Sequence, residues 1–122
     1  MIAKPALKTV LCVDDHPQIC NLVEAILTEH RILSASSVDE AMSLLSDGVF
    51  MIVMDCNLIK DAAAETLTAI KSVRPEVKIV LTSAGDHLAE LKPVSGMVDG
   101  MIMKTGGDFV ASLRRVVDEL EE

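Results

Sequence analysis

At 122 residues, half of them apolar, the chain suits one compact domain built on a single core, and a second domain has no room. A formal net charge of −8, from 19 acidic against 11 basic side chains, argues against a nucleic-acid backbone or an anionic membrane surface as partner, because both reward clustered Lys and Arg. No apolar run approaches the ~20 residues that span a bilayer and no secretory h-region opens the chain, so a soluble cytoplasmic protein is expected despite a mean hydropathy of +0.40.

Taken in chain order, the first apolar run, Thr9 to Val13, reads as a buried strand ending in Asp14 and Asp15. Pro17 suits the first turn of a helix whose stripe is Ile19, Leu22, Val23, Ile26 and Leu27, at i, i+3, i+4, i+7 and i+8. A second strand falls near 31–35. Ser37 to Glu40 then spells a capping box, followed by the stripe Val38, Ala41, Met42 and Leu45 and a stop at Gly48. The run from Val49 to Met54 is apolar throughout, reads as a strand buried on both faces, and ends in Asp55. Leu67, Ile70 and Val73 mark a third helix ended before Pro75. The strand near 77–82 ends in Thr82 and Ser83, and Leu88 and Leu91 mark a short helix ended by Pro93. The last strand, near 99–103, ends in Lys104. Phe109, Leu113, Val116, Val117 and Leu120 form the stripe of a final helix after Gly106 and Gly107.

Strict alternation of the two periods implies an α/β fold: a doubly wound (βα)5 domain over 1–122, with right-handed crossovers and helices on both faces of a parallel five-stranded sheet. In the flavodoxin-like order 2-1-3-4-5, the ends of strands 1 and 3 meet at the topological switch point, where open α/β sheets bind ligands. Asp14, Asp15 and Asp55 would meet there.

Some residues carry no expected chemistry. Cys12, Cys20 and Cys56 are odd in number and fit no zinc spacing, so reduced thiols are expected, the first two as small buried hydrophobes and Cys56 open to the site. His16, His30 and His87 lie beside helix ends and read as solvated or capping residues. Met51, Met54, Met97, Met101 and Met103 read as core filler, although an exposed Met97–Met103 stretch would form an apolar partner surface.

Three carboxylates gathered in a cleft repel one another and call for a cation. Mg²⁺ suits them, because it takes hard oxygen ligands, keeps several waters and is commonly held by one or two carboxylates plus a phosphate oxygen. Lys104 would add a point charge and Thr82 a hydroxyl donor toward such a phosphate, with backbone N–H groups after Asp55 completing the cradle. With Asp55 as nucleophile, in-line attack on phosphorus would form an aspartyl phosphate.

Asp14-Asp15, Asp55, Thr82 and Lys104, in register across four strand ends, resemble the signature of response regulator receiver domains of two-component signalling. The spacings of 27 residues from Asp55 to Thr82 and 22 from Thr82 to Lys104 match that family. The resemblance implies that Asp55 accepts the phosphoryl group. It also implies that Asp15 binds Mg²⁺ directly, Asp14 mainly through water and Asn57 through its backbone carbonyl, while Thr82 and Lys104 contact the phosphoryl group. A histidine kinase or phosphotransfer protein would be the donor and a downstream protein the target, with the chain a monomer or weak dimer and no output domain.

The chain also departs from the family. The stretch from Asp15 to Asp55 is a few residues short, with the gap between the first helix and Arg31. Leu58-Ile59 and Ala62-Ala63-Ala64 replace the usual Met-Pro and later Gly, which gives the loop after strand 3 another backbone path. Thr105 replaces the cis-proline after the Lys, which favours a trans peptide and a re-aimed Lys104. Met101 replaces the aromatic switch residue, so the usual hydroxyl-to-aromatic coupling cannot operate.

Three functions compete. The first is a phosphorylatable receiver that signals by protein binding and turns over no external substrate. The second is a degenerate receiver acting as a constitutive interaction module. The third, an Asp-nucleophile phosphatase, ranks last because Asn57 stands where a second carboxylate belongs and the chain is too short for a substrate cap.

Overall fold

The computed structural model describes residues 8–45, 48–85, 92–104 and 108–121. Five strands alternate with helices: β1 (Thr9–Val13), α1 (Pro17–Ile26), β2 (Arg31–Ala35), α2 (Val38–Leu44), β3 (Val49–Asp55), α3 (Ala63–Val73), β4 (Lys78–Ser83), β5 (Gly100–Met103) and α4 (Phe109–Glu121). Short 3₁₀ turns occupy Cys56–Leu58 and Lys92–Met97. Every strand pair is parallel, and the sheet order is β2-β1-β3-β4-β5. This is the flavodoxin-like order expected from the alternation of periods. The expected helix around Leu88 and Leu91 lies outside the described residues, as do Thr105, Gly106 and Gly107; Pro93 falls inside the 3₁₀ turn.

The three inner strands are buried along almost their whole length, which is why they read as unbroken apolar runs instead of alternating ones. Their side chains still alternate between faces. Leu11, Val13, Ile52, Met54, Ile79 and Leu81 pack beneath α2 and α3 with Ala41, Leu67 and Ile70. Val10, Cys12, Met51, Val53, Val80 and Ile102 face the other way, onto Cys20, Val23 and Leu27 of α1 and Phe109, Leu113 and Val117 of α4. Two cores of this kind leave only the strand ends free to carry polar chemistry.

The helix-end signals and apolar stripes appear in the structure with small shifts. The Ser37 hydroxyl accepts the Glu40 N–H at 3.1 Å, while the Glu40 carboxylate accepts the Ser36 N–H at 2.6 Å, one residue earlier than a reciprocal capping box requires. Leu22 is 39% exposed, and Cys20 takes its place on the buried face of α1. Two positions along a helix turn a side chain by about 200°, so burying Cys20 turns Leu22 outward. Val73, in the last turn of α3, is likewise exposed. Met51 and Met54 are buried and Met97 and Met101 pack partly against the core, whereas Met103 is 37% exposed. The shortened stretch before Arg31 is a tight turn in which the His30 N–H donates to the Leu27 carbonyl at 3.1 Å.

His30 is neither solvated nor a cap. Its side chain is buried, stacks on Phe50 at 5.8 Å between ring centroids, and contacts the Glu121 carboxylate through Nε2. The last turn of α4 is thereby tied to the turn between α1 and β2.

Candidate functional site

Parallel strands deliver their last residues to one edge of the sheet, and four strands do so here. The Asp14 N–H donates to the Ala35 carbonyl at 3.0 Å, extending the β1 ladder by one residue, so the Asp14 side chain is held rigidly and 1% exposed. Asp15 and His16 follow on the way into α1, both more than half exposed. Asp55 ends β3 directly beside Thr82 of β4, and both are buried. The Lys104 N–H donates to the Ser83 carbonyl at 2.8 Å, which continues β5 just far enough to aim its side chain back across the sheet.

That side chain makes the central contact. The Lys104 ammonium lies 2.6 Å from Asp14 Oδ2 and 3.3 Å from Asp55 Oδ2, bridging two buried carboxylates from strands that are neighbours in the sheet. Burial by itself depresses the ammonium's pKa. The hydrogen bond to Asp14 and the charges of Asp55 and Asp14 outweigh it, leaving Lys104 above the ordinary lysine value. A cation is therefore fixed at the mouth of the site.

One ligand atom each from Asp14, Asp15, His16 and Asp55 lie within 4.8 Å of one another. Three carboxylate oxygens at this spacing fit a hard divalent ion held partly through its waters, so the donor set is compatible with Mg²⁺. His16 was missed by the sequence reading. Its Nδ1 is 3.0 Å from Asp15 Oδ1 and 3.2 Å from Asp14 Oδ1, and its backbone N–H donates to Asp14 Oδ1 at 2.9 Å. His16 is exposed and stands at the N-cap of α1, as a solvated or capping residue would, and its direct adjacency to the acidic pair was the signal for its further contact with Asp14 and Asp15.

Asn57 and Thr82 make contacts within the protein at the site. Asn57 donates its backbone N–H to Asp55 Oδ1 at 3.3 Å, opening the 3₁₀ turn, while its side chain is exposed. The Thr82 hydroxyl donates to the Met54 carbonyl at 3.4 Å and so is turned onto β3. Cys56, expected to be open to the site, is 1% exposed; burial pushes its thiol above the ordinary range, and it is packing, not chemistry.

Beyond Asp55 the backbone takes its own path. Ile59 has φ −125° and donates its N–H to the Cys56 carbonyl at 3.1 Å. Proline fixes φ near −65° and has no N–H, so neither feature is open to it. Ile59 is also 2% exposed, anchoring the turn in the core beneath α3.

A family model described as "Response regulator receiver domain" matches residues 10–108. Transcriptional regulatory protein CpxR of Escherichia coli (strain K12) is 24% identical over 115 residues, covering 91% of this chain and 50% of that protein. The chain thus spans about half the length of the curated relatives it matches. The solved structure of response regulator TrrA from Thermotoga maritima, in complex with Mg²⁺-BeF, is similar with a TM-score of 0.77 at 25% identity, covering 93% of this chain and 99% of that one. A CheY-like receiver domain from Methylobacillus flagellatus reaches a TM-score of 0.78 at 18% identity, covering 94% and 99%.

Proposed function

The chain belongs to the response regulator receiver domain family, and on that premise we propose that it accepts a phosphoryl group on Asp55 from a histidine kinase or phosphotransfer protein and signals through a changed affinity for a protein target. The observation that carries this reading is the bridge from Lys104 to Asp14 and Asp55. A buried ammonium beside a strand-end carboxylate offsets the two buried acids at rest and is a ready counter-charge for phosphoryl oxygens.

An Asp55 carboxylate oxygen attacks phosphorus in line, forming an O–P bond as the N–P bond of a phosphohistidine breaks; the leaving imidazole keeps the electron pair and takes up a proton. Lys104 then pairs with the phosphoryl oxygens, and the Thr82 hydroxyl rotates from Met54 to donate to one of them. Asp14, Asp15, Asp55 and the Asn57 backbone carbonyl would hold Mg²⁺, which when bound offsets the negative charge shared by carboxylate and phosphoryl group. On this reading the chemistry is confined to Asp55, with no external substrate turned over, and the domain works in the cytoplasm as a monomer or weak dimer. Its net charge of −8 disfavours direct contact between this domain and nucleic acid.

Intact-mass spectrometry after incubation with acetyl phosphate tests the proposal. One phosphoryl adduct is expected, dependent on both Mg²⁺ and Asp55 and absent from Asp55→Asn. A folded protein that takes no adduct would refute it. The constitutive interaction module would then be the better account, in keeping with the altered turn at Ile59 and with Met101 in place of an aromatic switch.

A further inference from the structure

Two thiols meet directly behind the acidic loop. Cys12 lies in β1 on the side that faces α1, and Cys20 lies on the buried face of α1. Their sulfurs are 3.0 Å apart, and Cys20 Sγ is also 3.5 Å from the Cys12 carbonyl oxygen. Both cysteines are free. We propose that Cys12 and Cys20 form a peroxide-responsive dithiol, whose closure to a disulfide staples the two ends of the loop carrying Asp14, Asp15 and His16.

Geometry comes first. A disulfide has an S–S length of about 2.05 Å, so closure asks the sulfurs to approach by about 1 Å, a movement that side-chain rotation and a slight shift of α1 against β1 can supply. The positions in sequence matter equally. Everything between the two cysteines is the end of β1, the acidic loop and the first turn of α1, so the bond would enclose the loop completely. Access is asymmetric: Cys20 lines an open cleft of about 180 Å³ together with Asp14, Asn21, Ser34, Ser36 and Glu40, whereas Cys12 lies behind it in the sheet. Cys20 is 5% exposed and Cys12 1%, so a small hydroperoxide in the cleft meets Cys20 first.

The electronic asymmetry runs the same way. The hydrogen bond between the two thiols draws Cys20 below its ordinary range against the opposing effect of burial, with a further hydrogen bond with Ser34 helping. Cys20 is thus the attacking thiolate and Cys12 the resolving thiol. The Cys20 thiolate attacks one oxygen of hydrogen peroxide, breaking the O–O bond to give a sulfenic acid and hydroxide, which takes up a proton to become water. The Cys12 sulfur then attacks Cys20 Sγ, forming the S–S bond and expelling a second water. Two thiols are oxidised by two electrons in total, and one peroxide is reduced to two waters. A reversible bond of this type is the kind a reducing cytosol permits.

The test uses the full chain, fully reduced, then treated with hydrogen peroxide and alkylated under denaturing conditions before intact-mass and peptide analysis. Wild type and Cys56→Ser should each lose two hydrogens and two alkylatable thiols. Both should yield a cross-linked peptide pair containing Cys12 and Cys20, reversed by dithiothreitol. Cys12→Ser and Cys20→Ser should yield none. Amide hydrogen exchange across residues 13–19 should slow in the oxidised protein. Persistent sulfinic acid on Cys20, a bond that involves Cys56 or a second chain, or three alkylatable thiols surviving peroxide in a natively folded wild type would each overturn the proposal. Unchanged exchange across the loop in the disulfide form would overturn the staple.

Discussion

Replacing Lys104 with Met keeps most of the side chain's volume and removes its charge, so it isolates what the ammonium does between Asp14 and Asp55. Both carboxylate side chains are 1% exposed, and their candidate ligand oxygens lie within 4.8 Å of each other. Two like charges at that separation repel by about 3.5 kcal/mol at an effective dielectric near 20. Removing one partner from a buried ion pair typically costs about 3–5 kcal/mol, because the remaining charge is left uncompensated. With the Lys104 side chain itself only 10% exposed, solvent cannot take over its role. Lys104→Met is therefore expected to lose about 3 kcal/mol of unfolding free energy at neutral pH in metal-free buffer, read by urea titration with circular dichroism. Adding Asp55→Asn to it should return roughly 2 kcal/mol, since one of the two facing charges is gone. Saturating Mg²⁺ should narrow the gap between Lys104→Met and wild type. A loss below about 1 kcal/mol, or an equal loss in the Asp55→Asn background, would refute the electrostatic account.

The same ammonium makes a prediction at alkaline pH. Because its native pKa is raised, its contribution is fully present below the ordinary value of 10.5 and is lost as pH rises through the native value, so wild-type stability should decline there more steeply than that of Lys104→Met. Ile59→Pro introduces the residue usual in the family, yet should destabilise by about 2–4 kcal/mol in chemical denaturation. It removes the N–H donated to Cys56, forces φ away from −125° and trims a buried side chain. Leu113→Ala should cost about 2–5 kcal/mol, leaving a cavity between α4 and the sheet, with Mg²⁺ affinity unchanged by isothermal titration. Ser37→Ala should cost about 1 kcal/mol through the lost cap of α2, visible as a lower melting temperature.

How much of this was legible beforehand depends on the kind of information each feature needs. The strands could be read because Val49 to Met54 and its counterparts are apolar on both faces, a pattern that survives any rotation of the surrounding helices. Asp55, Thr82 and Lys104 could be read because each closes such a run, and a parallel sheet must deliver strand ends to one edge. Order in the sheet came from the switch-point rule together with family resemblance, since periodicity says nothing about which strands are neighbours. Misreadings arose where phase or rotamer decides. Leu22 fits the stripe of α1 as well as Cys20 does, and only docking against β1 selects one face. Cys56 was expected to be open because it follows Asp55, but the 3₁₀ turn buries it in the core.

By itself, the sequence determined the alternation of strand and helix, the apolar faces and the acids, hydroxyl and amine that end the strands, because these depend on residues near one another along the chain. Only the tertiary structure decided that Lys104 reaches Asp14 across 90 positions, that Thr82 rests on Met54, that His30 meets Glu121 and that Cys12 faces Cys20. Each of those is set by the packing of one element against another and by the rotamer that packing leaves open, neither of which a local pattern of residues encodes.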